Sequence, residues 1–165
     1  MASWSSTMSA RGSEAQSLAR LRATPIDDAD FDGLAFFLSG AGLPIADLRE
    51  PGRIFYRIEA EDLVAYGGIE GEGPGRLLRS LVVLPDRRRV GLGGVVLGLI
   101  EDEAGRMGVE QLHLLTTTAV RFFRTQGYAD ATRATAPATI AASAEFTRLC
   151  PPSASYLVKH LKDAS

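Results

Sequence analysis

Apolar and polar positions divide the chain into short strands and amphipathic helices. Leu18 to Ala23 alternates apolar and polar residues and predicts a first strand. Thr24 and Pro25 then read as an N-cap followed by proline at the first helical position. Asp27, Asp28 and Asp30 put negative charge in the first turn, where the helix dipole favours it. Phe31, Leu34, Ala35 and Leu38 recur at helical spacing and predict an amphipathic helix ending near Gly40 or Gly42. Residues 42–52 carry two prolines and read as a loop with a short helical turn at Ile45–Leu48.

Arg53–Ala60 and Leu63–Glu70 are apolar and β-branched runs parted by Glu61-Asp62, which predicts a hairpin. After the turn Gly71–Gly75, Arg76–Leu84 gives a third antiparallel strand. Gly91–Met107 repeats apolar residues at helical spacing, with Gly108 as its stop. Gln111–Thr117 reads as a strand, Val120–Gln126 as a short helix and Gly127 as its end. The remainder predicts a strand near Tyr128–Ala131, a helix over Pro137–Leu149 and a strand at Ala154–Lys159. The order is strand, helix, three-strand meander, helix, strand, helix, then further strands. That is an α/β (α+β) domain with a mixed sheet, without the strict alternation of a doubly wound fold.

Composition narrows the class. The 165 residues carry 18 Lys and Arg against 20 Asp and Glu, a net charge of −2, which argues against nucleic-acid binding by bulk charge. A single cysteine, Cys150, excludes an internal disulfide, and with only two histidines a structural zinc site is not expected. No apolar run reaches the roughly 18–20 residues that span a bilayer. Residues 1–17 are rich in Ser and Ala and read as a flexible tail, with one domain over 18–165. Cytoplasmic residence is the expectation.

The chemistry is concentrated between Leu77 and Gly94. An apolar strand ends at Pro85, Arg87, Arg88 and Arg89 follow, then Gly91, Gly93 and Gly94, then a helix. Cations, glycine backbone and the free N–H groups of a helix start thus share one small volume, which suits a phosphate or pyrophosphate. A Walker A loop needs Lys followed by Ser or Thr after its last glycine, and here Val95 follows Gly94. The dinucleotide fingerprint G-x-G-x-x-G is broken by the spacing of these glycines.

The spacing Arg88-x-x-Gly91-x-Gly93 between a strand and a helix resembles the signature of the GNAT superfamily of acyl-CoA-dependent N-acetyltransferases. A second block, Ala119 to Tyr128 (AVRFFRTQGY), is similar to that family's A-x-x-[FY]-[FY]-x-x-x-G-[FY] segment. The resemblance covers about Leu18 to Leu161. LLRSLVV at 77–83, LLTTTA at 114–119 and SAEFTRLCPPSAS at 143–155 look like the arsenic-resistance branch of these enzymes.

The resemblance implies a mostly antiparallel mixed sheet, flanked by helices, whose central strands part to hold acetyl-CoA. Leu81, Val82 and Val83 would pair with the pantetheine arm through their backbone, and Arg88, Arg89, Val90, Gly91, Leu92, Gly93 and Gly94 would hold the pyrophosphate. The implied reaction is direct attack of a small-molecule amine on the thioester. The acceptor is an amino-acid-like organoarsenical or a related amino acid, with no metal. The family's proton-donating tyrosine falls at Phe123, and its strand carboxylate falls near Leu77 or Leu78. Candidate catalytic residues are therefore Glu70, at the end of the second hairpin strand, and Ser80. Glu70 is either a base acting through water or a solvated strand-end carboxylate. Arg79 interrupts an apolar strand and either faces solvent or clamps a substrate carboxylate. Thr116 and Thr117 are candidate substrate contacts at the mouth of the split. The expected partner is a small amine, with neither nucleic acid nor membrane; many proteins of this fold also pair as homodimers, though no feature of this sequence specifies an interface. The alternative function is a catalytically weak or inactive acyl-CoA-binding module on the same fold, and a third is an unrelated phosphate binder.

Overall fold

Seven strands form one sheet in the order β1-β2-β3-β4-β5-β7-β6 in the computed structural model, which describes residues 20–88 and 91–161. The strands are β1 (Arg22–Pro25), β2 (Arg53–Glu59), β3 (Leu63–Glu70), β4 (Gly75–Val83), β5 (Gln111–Thr116), β6 (Ala129–Ala131) and β7 (Ser155–His160). The helices are α1 (Phe31–Gly40), α2 (Leu92–Arg106), α3 (Val120–Thr125) and α4 (Ala138–Ala141). Every strand pair is antiparallel except β4–β5. The expected tail over residues 1–17, together with Arg89 and Val90, lies outside the described residues.

Strand alternation gives the sheet two apolar faces, each with its own core. Tyr56, Ile58, Ala65, Ile69 and Leu78 point to one face, where α2 covers them with Val96, Leu97 and Ile100. Phe55, Tyr66 and Val82 point to the other, where α1 packs Leu34 and Leu38. Each such buried side chain contributes about 1.5–3 kcal/mol relative to exposure. No helix among the described residues is long and apolar enough to cross a membrane.

Gly68 sits opposite both Phe55 and Arg79 in the register. A Cβ there would lie 2.6 Å and 2.8 Å from two carbons of the Phe55 ring. The missing side chain lets that ring lie over the strand, its centroid 5.8 Å from the Arg79 guanidinium. Gly68→Ala must push the ring aside and is expected to cost about 1–3 kcal/mol, read as a lower urea midpoint.

Two predicted boundaries move. Thr24 and Pro25 belong to β1 rather than to a helix start, with Pro25 opposite Tyr56. β1 is an edge strand, where the missing N–H of proline is tolerated. Asp27 caps the following turn instead, its side chain accepting from the Ala29 N–H. The helix expected over Pro137–Leu149 is broken. α4 stops at Ala141, and Glu145–Leu149 winds as a wider π-type turn closed by the Cys150 N–H to the Glu145 carbonyl, 3.0 Å. Ser143 and Thr147 bond locally to the backbone at this break, the competition by which short polar side chains interrupt a helix.

Candidate active site

The sheet opens where the parallel pair of β4 and β5 stops. β4 and β5 pair from Gly75–Leu77 against Gln111–His113. Beyond that point β4 continues along β3, while β5 continues along β7. The two strands part, and a cleft of about 610 Å³ fills the gap. Its walls are Leu78–Val83 of β4, Leu114–Thr116 of β5, the loop residues Ala41, Leu43 and Pro44, Phe122 and Phe123 from α3, and Gln126 just after it. Along β4 a bulge sets Ser80 and Leu81 opposite the single residue Gly67. Ser80 takes a left-handed conformation there, with φ of 59°, rare for a residue with a side chain. The β5-facing backbone edge of Leu81–Val83 is consequently left without a sheet partner.

At the mouth of the cleft lie Arg88 and the glycine turn. Gly91 adopts φ of 84°, a conformation that favours glycine, and it starts α2. The first turn of α2 has neither an acidic residue nor a side-chain cap, so its N–H groups remain available to an anion. Arg88 turns back through Nε to the Val83 carbonyl at 3.1 Å. A Cβ on Gly93 would come within 3.1 Å of the Phe122 ring, so that glycine also brings α2 close to α3.

An ion cluster is buried at the apex. The Arg79 side chain is fully out of solvent. It donates to Asp47 through both terminal nitrogens, at 2.5 Å and 2.7 Å, and to Glu70 at 2.7 Å. Its Nε donates to the Ser80 hydroxyl at 3.2 Å. Arg53 adds two more hydrogen bonds to Asp47 and lies 3.4 Å from Glu70. Burial works against the Arg79 charge, but the Asp47 bonds and the nearby Glu145 and Glu70 more than offset it. Burial likewise raises Asp47, and the Arg79 bonds outweigh it, leaving Asp47 below the usual carboxylate range.

This geometry revises several sequence-predicted roles. Arg79 is not a solvent-facing arginine, and the carboxylates it clamps are internal. Glu70 is buried against two guanidiniums and is absent from the cleft wall, so it is not a solvated strand-end carboxylate. Ser80 does line the cleft. Thr116 lines it too, while its Oγ1 accepts from the Ala119 N–H at 3.0 Å. Thr117 is exposed and outside the wall, and Thr118 takes its place. Leu81, Val82, Val83, Arg88, Gly91, Leu92, Gly93 and Gly94 all border the cleft. Arg89 and Val90 fall outside the described residues. His113 is buried with its Nδ1 2.6 Å from the Tyr156 hydroxyl and does not reach the cleft.

Asp47 and Glu145 are the residues that sequence reasoning missed. Asp47 lies in a proline-flanked loop with no periodic pattern, and Glu145 in a segment that reads as ordinary helix. Burial lifts the Glu145 carboxyl to about 7, helped by Glu70 and Asp47 and resisted by Arg79. Burial and Glu145 push the neighbouring Cys150 thiol up to about 11, which keeps it protonated and unreactive at neutral pH.

Comparison with known proteins places this architecture. Residues 21–128 match the model of the acetyltransferase (GNAT) family. The chain belongs to the GNAT acetyltransferase family. No curated protein sequence matches it. Among solved structures, N-acetylglutamate synthase from Neisseria gonorrhoeae, complexed with coenzyme A and L-arginine, superposes with a TM-score of 0.69 at 19% identity over 86% of this chain. The chain spans about a third of that protein, 33% of its length. Tetrahymena GCN5 gives a TM-score of 0.70 at 12% identity, covering 87% of this chain and 98% of its own. The ribosomal-protein-S18-alanine N-acetyltransferase of Escherichia coli gives 0.63 at 17%, covering 88% and 96%. At these identities the likeness establishes the GNAT fold, a mostly antiparallel seven-strand sheet with one parallel pair and flanking helices.

Proposed function

We propose that this GNAT protein is an acetyl-CoA-dependent N-acetyltransferase that acts on the amine of a small molecule. The observation that carries the reading is the parting of β4 and β5 into a cleft whose mouth ends on Gly91 and the uncapped start of α2. The residues present fit the co-substrate. Leu81–Val83 offer a strand edge without a sheet partner to the amides of a pantetheine arm, its Val83 carbonyl now held by Arg88, and the N–H groups of Leu92–Gly94 offer a cradle for a diphosphate. Acetyl-CoA, when bound, supplies the activated acetyl carbonyl. The chain supplies placement: the cleft walls exclude water, and the bulge at Ser80 and Leu81 turns backbone polar groups toward the apex.

The acceptor we favour is amino-acid-like, an organoarsenical or a related toxic amino acid, on the similarity of residues 77–83, 114–119 and 143–155 to the arsenic-resistance branch. A trivalent arsenic centre is a poorer candidate, since the single thiol of Cys150 cannot chelate it.

Gly91→Glu tests the cofactor site. A Cβ at Gly91 meets open space, so the fold is retained with modest local strain, and the added carboxylate faces the incoming diphosphate. Acetyl-CoA affinity by calorimetry is expected to fall by roughly tenfold to a hundredfold, the worth of one or two charge-assisted hydrogen bonds. Unchanged affinity would remove the site.

Phe123 favours a second reading. It is buried in the cleft wall where the family places a proton-donating tyrosine, and it has no proton to give. A non-catalytic acyl-CoA-binding module would bind acetyl-CoA tightly and release no thiol with any amine.

A further inference from the structure

The apex of the cleft holds more negative charge than positive. Two guanidiniums, Arg79 and Arg53, face two carboxylates, Asp47 and Glu70, and every member of that group is bonded to another. Glu145 is a third carboxylate on the same cluster. It is only 5% exposed, yet it lines the cleft, and among the described residues nothing donates a hydrogen bond to its side chain. Its nearest cation, the Arg79 Nε, is 3.9 Å away and directs its hydrogen to Ser80. The Glu145 oxygens are not sealed off, so the missing donor must come from the cleft, as water in the free protein or as a ligand that displaces it. The groups facing it are Arg79 and Glu70 on the central strands, Arg53 on β2, Asp47 in the loop, and Cys150 at the end of its own turn. Arg133 lies behind Cys150 and donates to the carbonyls of Pro151 and Ala154.

The geometry points to Glu145 as the group that anchors the acceptor as an ammonium ion and takes its proton. This rests on the transferase reading above. Its logic is local. The other carboxylates of the apical cluster each hold a guanidinium and stand off the cleft wall, Ser80 and Thr116 carry only hydroxyls, and His113 does not reach the cleft. An ammonium ion supplies the hydrogen-bond donors and the positive charge that Glu145 lacks. The acceptors are therefore primary amines that are cationic in solution, and amides or hydroxyl compounds are excluded as acceptors. Glu145 opens the π-type turn and is buried there, while Phe146, its neighbour, packs edge-on against Tyr156 at 5.1 Å.

The step balances. Glu145 accepts one proton from the ammonium, which frees the nitrogen lone pair. The lone pair forms the new C–N bond, the C–S bond breaks, and its electrons leave on sulfur. The second proton lost by nitrogen passes through water to the sulfur, since Phe123 cannot give one. Products are the amide and the CoA thiol, and the proton held by Glu145 returns to solvent.

The test uses the full chain, a panel of primary amines (the proteinogenic amino acids, spermidine, tyramine and n-butylamine) and three readouts. Glu145→Gln should keep acetyl-CoA affinity within about twofold, which also confirms that the variant folds. Thiol release should fall by roughly a hundredfold in kcat/KM, with the rise of kcat/KM on the acid side of neutrality abolished. Binding of the best amine to the CoA-loaded protein, followed by saturation-transfer NMR without turnover, should be lost. Glu145→Asp should restore the pH-dependent rise at reduced rate, which a purely structural role would not do. If the wild type turns over amines and Glu145→Gln does so equally, the assignment of Glu145 is overturned and the transferase reading survives. If the wild type binds acetyl-CoA but neither binds nor acetylates any amine of the panel, both fall.

Discussion

Arg79→Met will unfold the protein at markedly lower temperature and denaturant than the parent chain. Methionine fills much of the same volume but removes every donor that Asp47 and Glu70 receive from β4. Asp47 is fully buried, so its charge would then face only Arg53. Breaking a buried ion pair by deleting one partner costs about 3–5 kcal/mol. For a chain of this length that is roughly 6–20 °C in Tm. Urea denaturation followed by far-UV circular dichroism measures it. Arg79→Lys should recover only part of the loss, because one ammonium cannot bridge Asp47 through two parallel bonds and reach Glu70 as well. The double variant Asp47→Leu/Arg79→Met should recover at least half, since it removes the stranded charge together with its partner, while Glu70 keeps Arg53. A loss in the double variant equal to or greater than the single would show that the pair itself, and not the avoidance of a stranded charge, carries the stability.

Glu145→Gln will make the protein more stable in alkaline solution and leave it unchanged in acid. The unfolded chain ionises this carboxyl near its ordinary value of 4.5, whereas burial holds the folded one protonated up to about 7. Between those values the folded state carries a proton that the unfolded state has released. Stability therefore falls as pH rises through this window and levels off above it. The ionised form costs about 3 kcal/mol at pH 8. Glutamine is never ionised, so the melting curves of variant and parent should coincide at pH 4 and part by roughly 6–12 °C at pH 8. Equal melting temperatures at pH 8 would mean that the Glu145 charge is compensated in the folded protein. A group that destabilises the fold at working pH while lining a ligand cleft fits selection for chemistry rather than for stability.

The two experiments divide the apical cluster. Arg79, Asp47, Glu70 and Arg53 form its structural half, four groups that satisfy one another and fix the loop over residues 41–50 to the bulge at Ser80. Glu145 is the half left open. The cleft is accordingly polar in a directed sense, with Arg88 and the uncapped start of α2 at its mouth and the Glu145 carboxyl at its apex.

What the sequence determined by itself was local. The meander from Arg53 to Val83, the helix over Leu92–Arg106 and the glycine turn at Gly91 follow from alternation, helical spacing and the conformations that glycine alone adopts readily. These are properties of a few adjacent residues, and they were sufficient to place the glycine-turn side of the cleft. Boundaries moved where two local rules competed, as at Pro25, where a favourable helix start lost to an edge-strand position, and at Ser143, where side-chain hydrogen bonds broke an apparent helix. The ion cluster at the apex was decided only by the tertiary structure. Asp47 and Arg79 are 32 residues apart and Glu145 lies further on still. The pairing that buries Arg79 and strands Glu145 exists only once the loop after α1, strands β3 and β4 and the turn before β7 have converged. Charge, burial and proton affinity at that point are set by neighbours in space, and Glu145 acquires its character from them.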